Sequence, residues 1–596
     1  MSFFKTFFAS LLAIFVSVFF LFLLGVILFV SSQKETEPYI GDGSVLEINM
    51  GSTLIERPSP DPLSMLMQDP DRVPITLREL ESNLEKAAAD QRIEGVWIKV
   101  NNLAAPWAHL AAMRNEMLKF RETSGKFIYV STEDIGFNEQ SFFIATAADS
   151  VFSPPETFFE FDGFFIQAVF FKEFLDKIGV EAEIFRAGDY KSAVEPFYRS
   201  SFSEENELQL QAIIDNVADI FLDAVGRRTG KSRAELDALM NEEPVLTSRG
   251  AFEAGLIDKL LYPSEVKKQI ETRIKEQGHR ELRTVSYNRY NRVSRSAAGI
   301  PKAAGNDKIA LIYASGNIMP DPGAPSVFPD SREMITARGM ADHLKAARED
   351  DQVKAIVLRI NSPGGAGSTS DLIWHEIRQT AMEKPVIASM GSVAASGGYY
   401  IGMAADTIVA SGQSITGSIG VFGVAMNMQE LFNEKLGLYF DEVTTHEQSL
   451  WLTPDKPMTE VARTTFQSYV DEFYNVFLQR VSESRNMTIE EVHEVAGGRV
   501  WAGTDAYEAG LVDVLGELNE ALAIAAEAAG IEAYTVESYP KPKSLLELLS
   551  GSAQKQVKIL LNPGIKELEH LDPIFHILKN DSRTVIARIP FDYQIH

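Results

Sequence analysis

The sequence predicts an α/β protein made of two tandem copies of one domain, preceded by a membrane-spanning helix. Strand-like apolar runs alternate with helical stretches along most of the chain, and the same order of segments returns about 257–260 residues later. The span rests on a third observation, one long uncharged apolar run near the N-terminus.

That run, Thr6 to Val30, covers 25 residues rich in Phe, Leu and Val. At 1.5 Å per residue it can cross a hydrocarbon core of roughly 30 Å. A cleaved signal peptide would carry an apolar region of about 7–15 residues and a small-x-small cleavage site, so residues 6–30 read as a transmembrane helix. Residues 45–281 form the first copy. Residues 282–305, with Arg283, Arg289, Arg292 and Arg295 ahead of Ser-Ala-Ala-Gly-Ile-Pro, read as a linker. Residues 306–540 form the second copy, and 541–596 remain an unassigned tail.

The repeat is visible segment by segment. Ile93–Asn101 returns as Val353–Asn361, and Lys126–Val130 as Pro385–Ser389. Phe142–Asp149 returns as Tyr399–Asp406, and Phe171–Gly179 as Met428–Gly437. The chain of 596 residues is in any case too long for one core. A net charge of −27 speaks against a nucleic-acid partner, and the absence of cysteine excludes disulfides, thiolate metal sites and cysteine nucleophiles. No phosphate-binding loop or ligand cluster calls for a metal or cofactor.

The copies differ where chemistry would sit. The second contains Asn361-Ser362-Pro363-Gly364-Gly365 and Ala395-Ser396-Gly397-Gly398-Tyr399, a pairing that can expose one hydroxyl and bring backbone N–H groups close to a reacting carbonyl. In the first copy the glycine loop has become Asn101-Asn102-Leu103, and the alignment sets Glu139 against Ser396. The first copy alone contains Tyr190-Lys191-Ser192-Ala193; the matching stretch around Gln448-Ser449 has no lysine. Each copy thus holds what the other lacks. Neither His375 nor His446 lies in a motif with a carboxylate partner. The run Phe158–Phe165 reads as core or a subunit contact.

These motifs, with Ile415-Thr416-Gly417-Ser418-Ile419-Gly420-Val421, resemble the signal peptide peptidase A family in its long, tandem-repeat, membrane-anchored form. The resemblance extends from the span to about residue 540. It implies a serine–lysine dyad, with Ser396 as nucleophile, Lys191 as general base and Ser418 as a helper that orients Lys191. It implies crotonase-like (Clp-protease-like) domains, a ring- or bowl-shaped homotetramer, and peptide substrates such as cleaved signal peptides. It also implies a single-pass protein of the bacterial inner membrane with its body on the periplasmic side. Chemistry agrees with these roles: a serine needs a base, and a lysine can serve only if burial lowers its pKa from about 10.4. Glu195, four residues beyond Lys191, is therefore expected to point away. Oxyanion donors are expected from Gly397 and from either Gly364 or Gly365. The alternatives are a crotonase-type acyl-CoA enzyme, which would not acylate at Ser396, and a non-catalytic membrane scaffold, indifferent to loss of Ser396 or Lys191.

Overall fold

The computed structural model describes residues 37–540 apart from 52–53, 57–74, 102, 134, 302–304 and 322–333, together with 586–588 and the isolated positions 7 and 17. The span expected over 6–30 therefore lies outside the described residues, apart from Phe7 and Ser17. Among the described residues no helix is long and apolar enough to cross a membrane.

The first half of the chain supplies β1 (Ser44–Met50), β2 (Ile93–Val100), β3 (Phe127–Ser131), β4 (Ser150–Ser153), β5 (Glu181–Ala187), β6 (Lys259–Leu260) and β7 (Arg283–Ser286). All but β5 form one parallel sheet in the order β6-β4-β3-β2-β1-β7. The second half supplies β8 (Lys308–Ser315), β9 (Val353–Ser362), β10 (Gly364–Ala366), β11 (Val386–Ala395), β12 (Ile415–Gly417), β13 (Val421–Asn427), β14 (Val500–Ala502), β15 (Thr535–Tyr539) and β16 (Ile586–Arg588). Its main sheet runs β14-β12-β11-β9-β8-β15, with Thr407–Ala410 and Val514–Leu515 branching from β11. Ile356, Val357 and Leu358 on β9 are all fully buried. Consecutive burial means that both faces of the sheet are covered, as parallel βα units require.

The duplication is written into the hydrogen bonds. Lys126 Nζ donates to the carbonyls of Ala87 and Asp90, both at 2.7 Å, and Lys384 Nζ donates to those of Ala347 (3.0 Å) and Asp350 (2.8 Å). The Asp149 carboxylate accepts from the Ile128 N–H at 2.7 Å, and Asp406 accepts from Val386 at 2.9 Å.

One expectation is corrected. Residues 282–305 are not simply a linker. Arg283–Ser286 forms β7, the edge strand paired with β1, and Tyr287, Tyr290, Val293 and Ala298 are buried in the first core. Composition misled because the arginine heads face outward, Arg295 pairing with Glu85 at 2.6 Å, while the intervening tyrosines turn inward. The partner of Ser396 in the first copy lies at the start of the matching helix: Asn138 N-caps Glu139–Ala145 and Ser396 stands at the N-cap of Gly397–Gly402, whereas the C-caps Thr146 and Met403 keep the 257-residue offset that sets Glu139 against Ser396.

A further sheet joins the halves, in the order Met334–Ile335, Asn317–Ile318, β10, β16, β13, β5. β5 pairs antiparallel with β13 from Ala187↔Val421 to Glu181↔Asn427. Phe185 and Ala187 of β5 belong to the second core. The two Phe-rich faces divide as well: Phe159 and Phe161 are buried, whereas Phe158 and Phe165 are exposed.

Charge crosses the same seam. Arg359, in the middle of β9, reaches Glu56 of the first half, Nε to Oε1 at 2.8 Å, and Glu56 Oε2 lies 2.7 Å from His109 Nε2. Burial alone would raise the Glu56 pKa, but the Arg359 guanidinium and His109 hold it well below the usual carboxylate range. Glu81 behaves oppositely: burial, then the nearby Glu116, pushes its pKa up to about 8. An unfolded glutamate titrates near 4.3. Between these values the folded state holds a proton the unfolded chain has lost, so this contribution is complete below about pH 4.3 and fades as pH rises through 8. Replacing Glu81 with Gln removes the titration. The melting temperature of Glu81→Gln is thus expected to gain on the wild type between about pH 6 and about pH 9, as followed by calorimetry.

Candidate active site

β11 carries the small-residue run into the turn at Ser396, whose φ of 55° and ψ of −114° are rarely adopted by a residue with a Cβ. Ser418 also has a positive φ, 51°; of the three such non-glycine residues described, two lie at this site. The strain at Ser396 is held from both sides. Its N–H donates to the Gly417 carbonyl at 2.8 Å, and its carbonyl accepts the N–H of Tyr400 at 2.8 Å.

Lys191 arrives from the other copy. The β5–β13 pairing sets Ala187 against Val421, and the chain then turns through Gly188 so that Tyr190 N–H donates to the Gly497 carbonyl at 3.0 Å. Lys191 Nζ lies 2.8 Å from Ser396 Oγ, 3.0 Å from Ser418 Oγ and 3.1 Å from the Ser418 carbonyl oxygen. All three side chains are fully buried. Glu195 does not approach the amine: its carboxylate accepts hydrogen bonds from Ser203 Oγ, from Ser203 N–H at 3.2 Å and from Asn206 Nδ2 at 2.8 Å. Burial therefore acts on Lys191 without an opposing charge and pushes its pKa well below that of a free lysine.

The geometry suits an uncharged amine, which has two N–H donors and one lone pair. Ser418 offers two acceptors, its carbonyl and its Oγ, and Oγ can itself donate to the Gly498 carbonyl at 3.3 Å. With both N–H groups engaged by Ser418, the lone pair is left to face the Ser396 hydroxyl.

The glycines expected to supply the oxyanion donors lie on segments that pack together, the helix that Gly397 begins and β10, which carries Gly364 and Gly365. The N–H of Gly397 begins a helix and has no intrahelical partner. Gly398 packs so closely on the glycine loop that a Cβ there would lie 2.5 Å from the Ser362 carbonyl oxygen. The Gly364 N–H donates to Ser362 Oγ at 3.1 Å. At Gly365, φ is 156° and a Cβ would sit 1.9 Å from the Ile318 carbonyl oxygen, so no side chain fits. Neither His375 nor His446 contributes; both are exposed, and the His446 ring contacts Thr445 Oγ1 at 3.0 Å.

Sequence reasoning missed two supports of the lysine. Gln209 Nε2 donates to the Tyr190 carbonyl (3.2 Å) and to Ser192 Oγ (2.8 Å), while its Oε1 accepts the Val500 N–H at 3.0 Å. Gly498 has a φ of 87°, and a Cβ there would lie 2.6 Å from the Lys191 nitrogen. The diglycine Gly497-Gly498 was readable as a second close-approach site. Gly498→Ala is expected to displace Lys191 and lower kcat by about 10²-fold, with the fold intact by circular dichroism.

A hydroxyl beside a desolvated lysine amine is equipment for nucleophilic hydrolysis, and the relatives below put the chain among the serine-type peptidases. Comparison with known proteins gives the family. The model described as Peptidase family S49 matches residues 121–277 and 378–532, once in each half of the chain. The chain is 36% identical over 482 residues to "Serine protease SPPA, chloroplastic" of Arabidopsis thaliana, spanning 80% of this chain and 70% of that protein. It is 29% identical to "Protease 4" of Salmonella typhi, over 83% of this chain and 78% of that one. For "Protease 4" of Haemophilus influenzae the identity is 28%, over 85% and 82%. The chain belongs to peptidase family S49.

Proposed function

We propose that the protein is a membrane-anchored endopeptidase whose site is shared between its two repeats. Lys191 takes the proton of Ser396 as Oγ attacks the scissile carbonyl, passes it to the leaving amine, and then activates the water that hydrolyses the acyl-enzyme. Ser418 orients the amine. The N–H of Gly397 and one from the Gly364–Gly365 turn receive the oxyanion. The observation that carries the reading is the 2.8 Å separation of Lys191 Nζ and Ser396 Oγ in a pocket where, among the described residues, no carboxylate reaches the amine.

The substrates are peptides in extended form, cleaved signal peptides among them. The apolar run over 6–30 supports a single membrane anchor, with the body on the extracytoplasmic side of a bacterial inner membrane. Exposed apolar residues at Phe165, Val169 and Phe174, and again at Leu438, Tyr439 and Phe440, support self-association into a homotetramer.

A fluorophosphonate probe tests the chemistry. Intact mass and peptide mapping should find one adduct, on Ser396, in the wild type and none in Ser396→Ala. Labelling elsewhere, or peptide hydrolysis undiminished in Ser396→Ala, would sink the assignment.

A further inference from the structure

A cavity of about 440 Å³ lies on the seam between the two halves, and none of Lys191, Ser396 and Ser418 lines it. Arg114, Phe143 and Ile220 contribute to its wall from the first half, and Ser411, Gln413 and Glu517 from the second. Lys119 and Glu520, which also line it, are exposed, so it opens to solvent. Beside it the halves touch directly, Asn519 Nδ2 donating to Glu116 Oε1 at 2.9 Å.

Two half-buried charges on these walls are unmatched. The Arg114 guanidinium lies over the Phe143 ring, 5.4 Å from its centroid, and Arg114 Nε donates to Thr146 Oγ1 at 2.7 Å. Among the described residues no carboxylate pairs with it, and burial, with Arg227 nearby, lowers its pKa to about 10. Glu517 is the counterpart from the second half. Its carboxylate accepts the Glu520 N–H at the start of the helix Leu518–Ala528, and among the described residues no cation pairs with it. Burial pushes its pKa up to about 7 in spite of the Arg359 charge. Arg114 and Glu517 do not pair with each other either. Each charge is thus held at a cost that a ligand group of opposite sign would lift.

We infer that this cavity binds a short zwitterionic peptide, its carboxylate on Arg114 and its ammonium on Glu517. The volume lies within the range of about 300–1,000 Å³ usual for small-ligand sites. A free amino acid carries both charges on one carbon, whereas two protein groups that do not reach one another call for charges set farther apart. Each cut by a peptidase leaves a new carboxylate on one fragment and a new ammonium on the other, so the chain's own products include this chemistry. The position adds a consequence. Ser411 and Gln413 lead into β12 and so to Ser418, while Ile220 shares the helix Glu204–Thr229 with Gln209, a support of Lys191. A peptide seated here touches both halves and by mass action favours their docked arrangement. The binding stands apart from the serine–lysine reading; only its bearing on turnover rests on that reading.

Isothermal titration of the full-chain Ser396→Ala variant with alanylalanine at neutral pH tests this, since the variant cannot turn the probe over. The dipeptide is expected to bind and to raise the melting temperature. Its N-acetyl and C-amide forms, each lacking one charge, should bind at least about 10-fold more weakly, and free alanine likewise. With Arg114→Met added, alanylalanine should bind no better than its amide; with Glu517→Gln added, no better than its acetyl form. An absence of binding, or equal binding of the capped forms, overturns the inference without any substitution in the cavity. Affinity undiminished by Arg114→Met would place the peptide elsewhere and overturn it, and so would free alanine binding as tightly as the dipeptide. Uptake of the fluorophosphonate by the wild type reports separately on the serine–lysine reading, so each can fail while the other stands.

Discussion

Lys191→Met is expected to lower kcat for peptide hydrolysis by about 10³-fold, within the range of roughly 10²–10⁴ that a positioned general base supplies. Methionine keeps the length and apolar stem of lysine but offers Ser396 no lone pair of comparable basicity. The variant also tests the electrostatics. In the folded protein burial lowers the Lys191 pKa, whereas an unfolded lysine keeps its proton to about pH 10.4. Folding therefore releases a proton, and the stability of the wild type rises with pH from the depressed pKa up to about 10.4. Methionine cannot titrate. The melting temperature of the wild type relative to Lys191→Met should climb as pH increases, and a flat difference would mean that Lys191 is not desolvated. The same ionisation governs turnover, because the amine must be neutral to accept a proton. Activity should be lost on acidification through the Lys191 pKa, and a histidine-directed acylating reagent should leave it unchanged.

Glu56→Ala is expected to produce the largest loss of stability among substitutions outside the site. It removes the carboxylate that neutralises Arg359, a guanidinium 2% exposed and anchored by Ser389 Oγ at 2.9 Å and the Met390 carbonyl at 3.1 Å. Breaking a buried pair from one side costs about 3–5 kcal/mol, since the surviving charge stays buried. For a core of this size that corresponds to a drop in melting temperature on the order of 10 °C. Replacing both partners with methionine should recover most of it, because no charge is then stranded. Calorimetry of the two single variants and the double variant decides the matter; equal losses in Glu56→Ala and the double variant would refute the account. Peptidase activity should follow stability in this series, since β9 leads directly into the glycine loop.

The duplication was legible because buried parallel strands demand unbroken apolar runs, and such runs recur at constant spacing. The candidate site residues were legible for a different reason. Diglycines and a lone serine among small residues are costly in a strand or helix, so their presence marks a place where the backbone must pass close to something. Lys191 stood out only by comparison, as a motif present in one copy and missing from the other. Contacts across the seam carried no such mark. Glu56 and Arg359 are separated by 303 positions, and neither differs in type from any surface charge. Residues 283–298 were misread because outward-facing arginines hid the tyrosines of the core. β16 escaped notice because three residues are too few to show any period.

The strand β5 and its lysine precede their partners in the chain by more than two hundred residues, and this order has a bearing on synthesis. A ribosome delivers Lys191 long before Ser396, and the pairing that brings them together waits for Val421–Asn427. On the proposed reading, a partly translated chain contains the base without the hydroxyl, and hydrolysis is expected only once both halves have been made and paired.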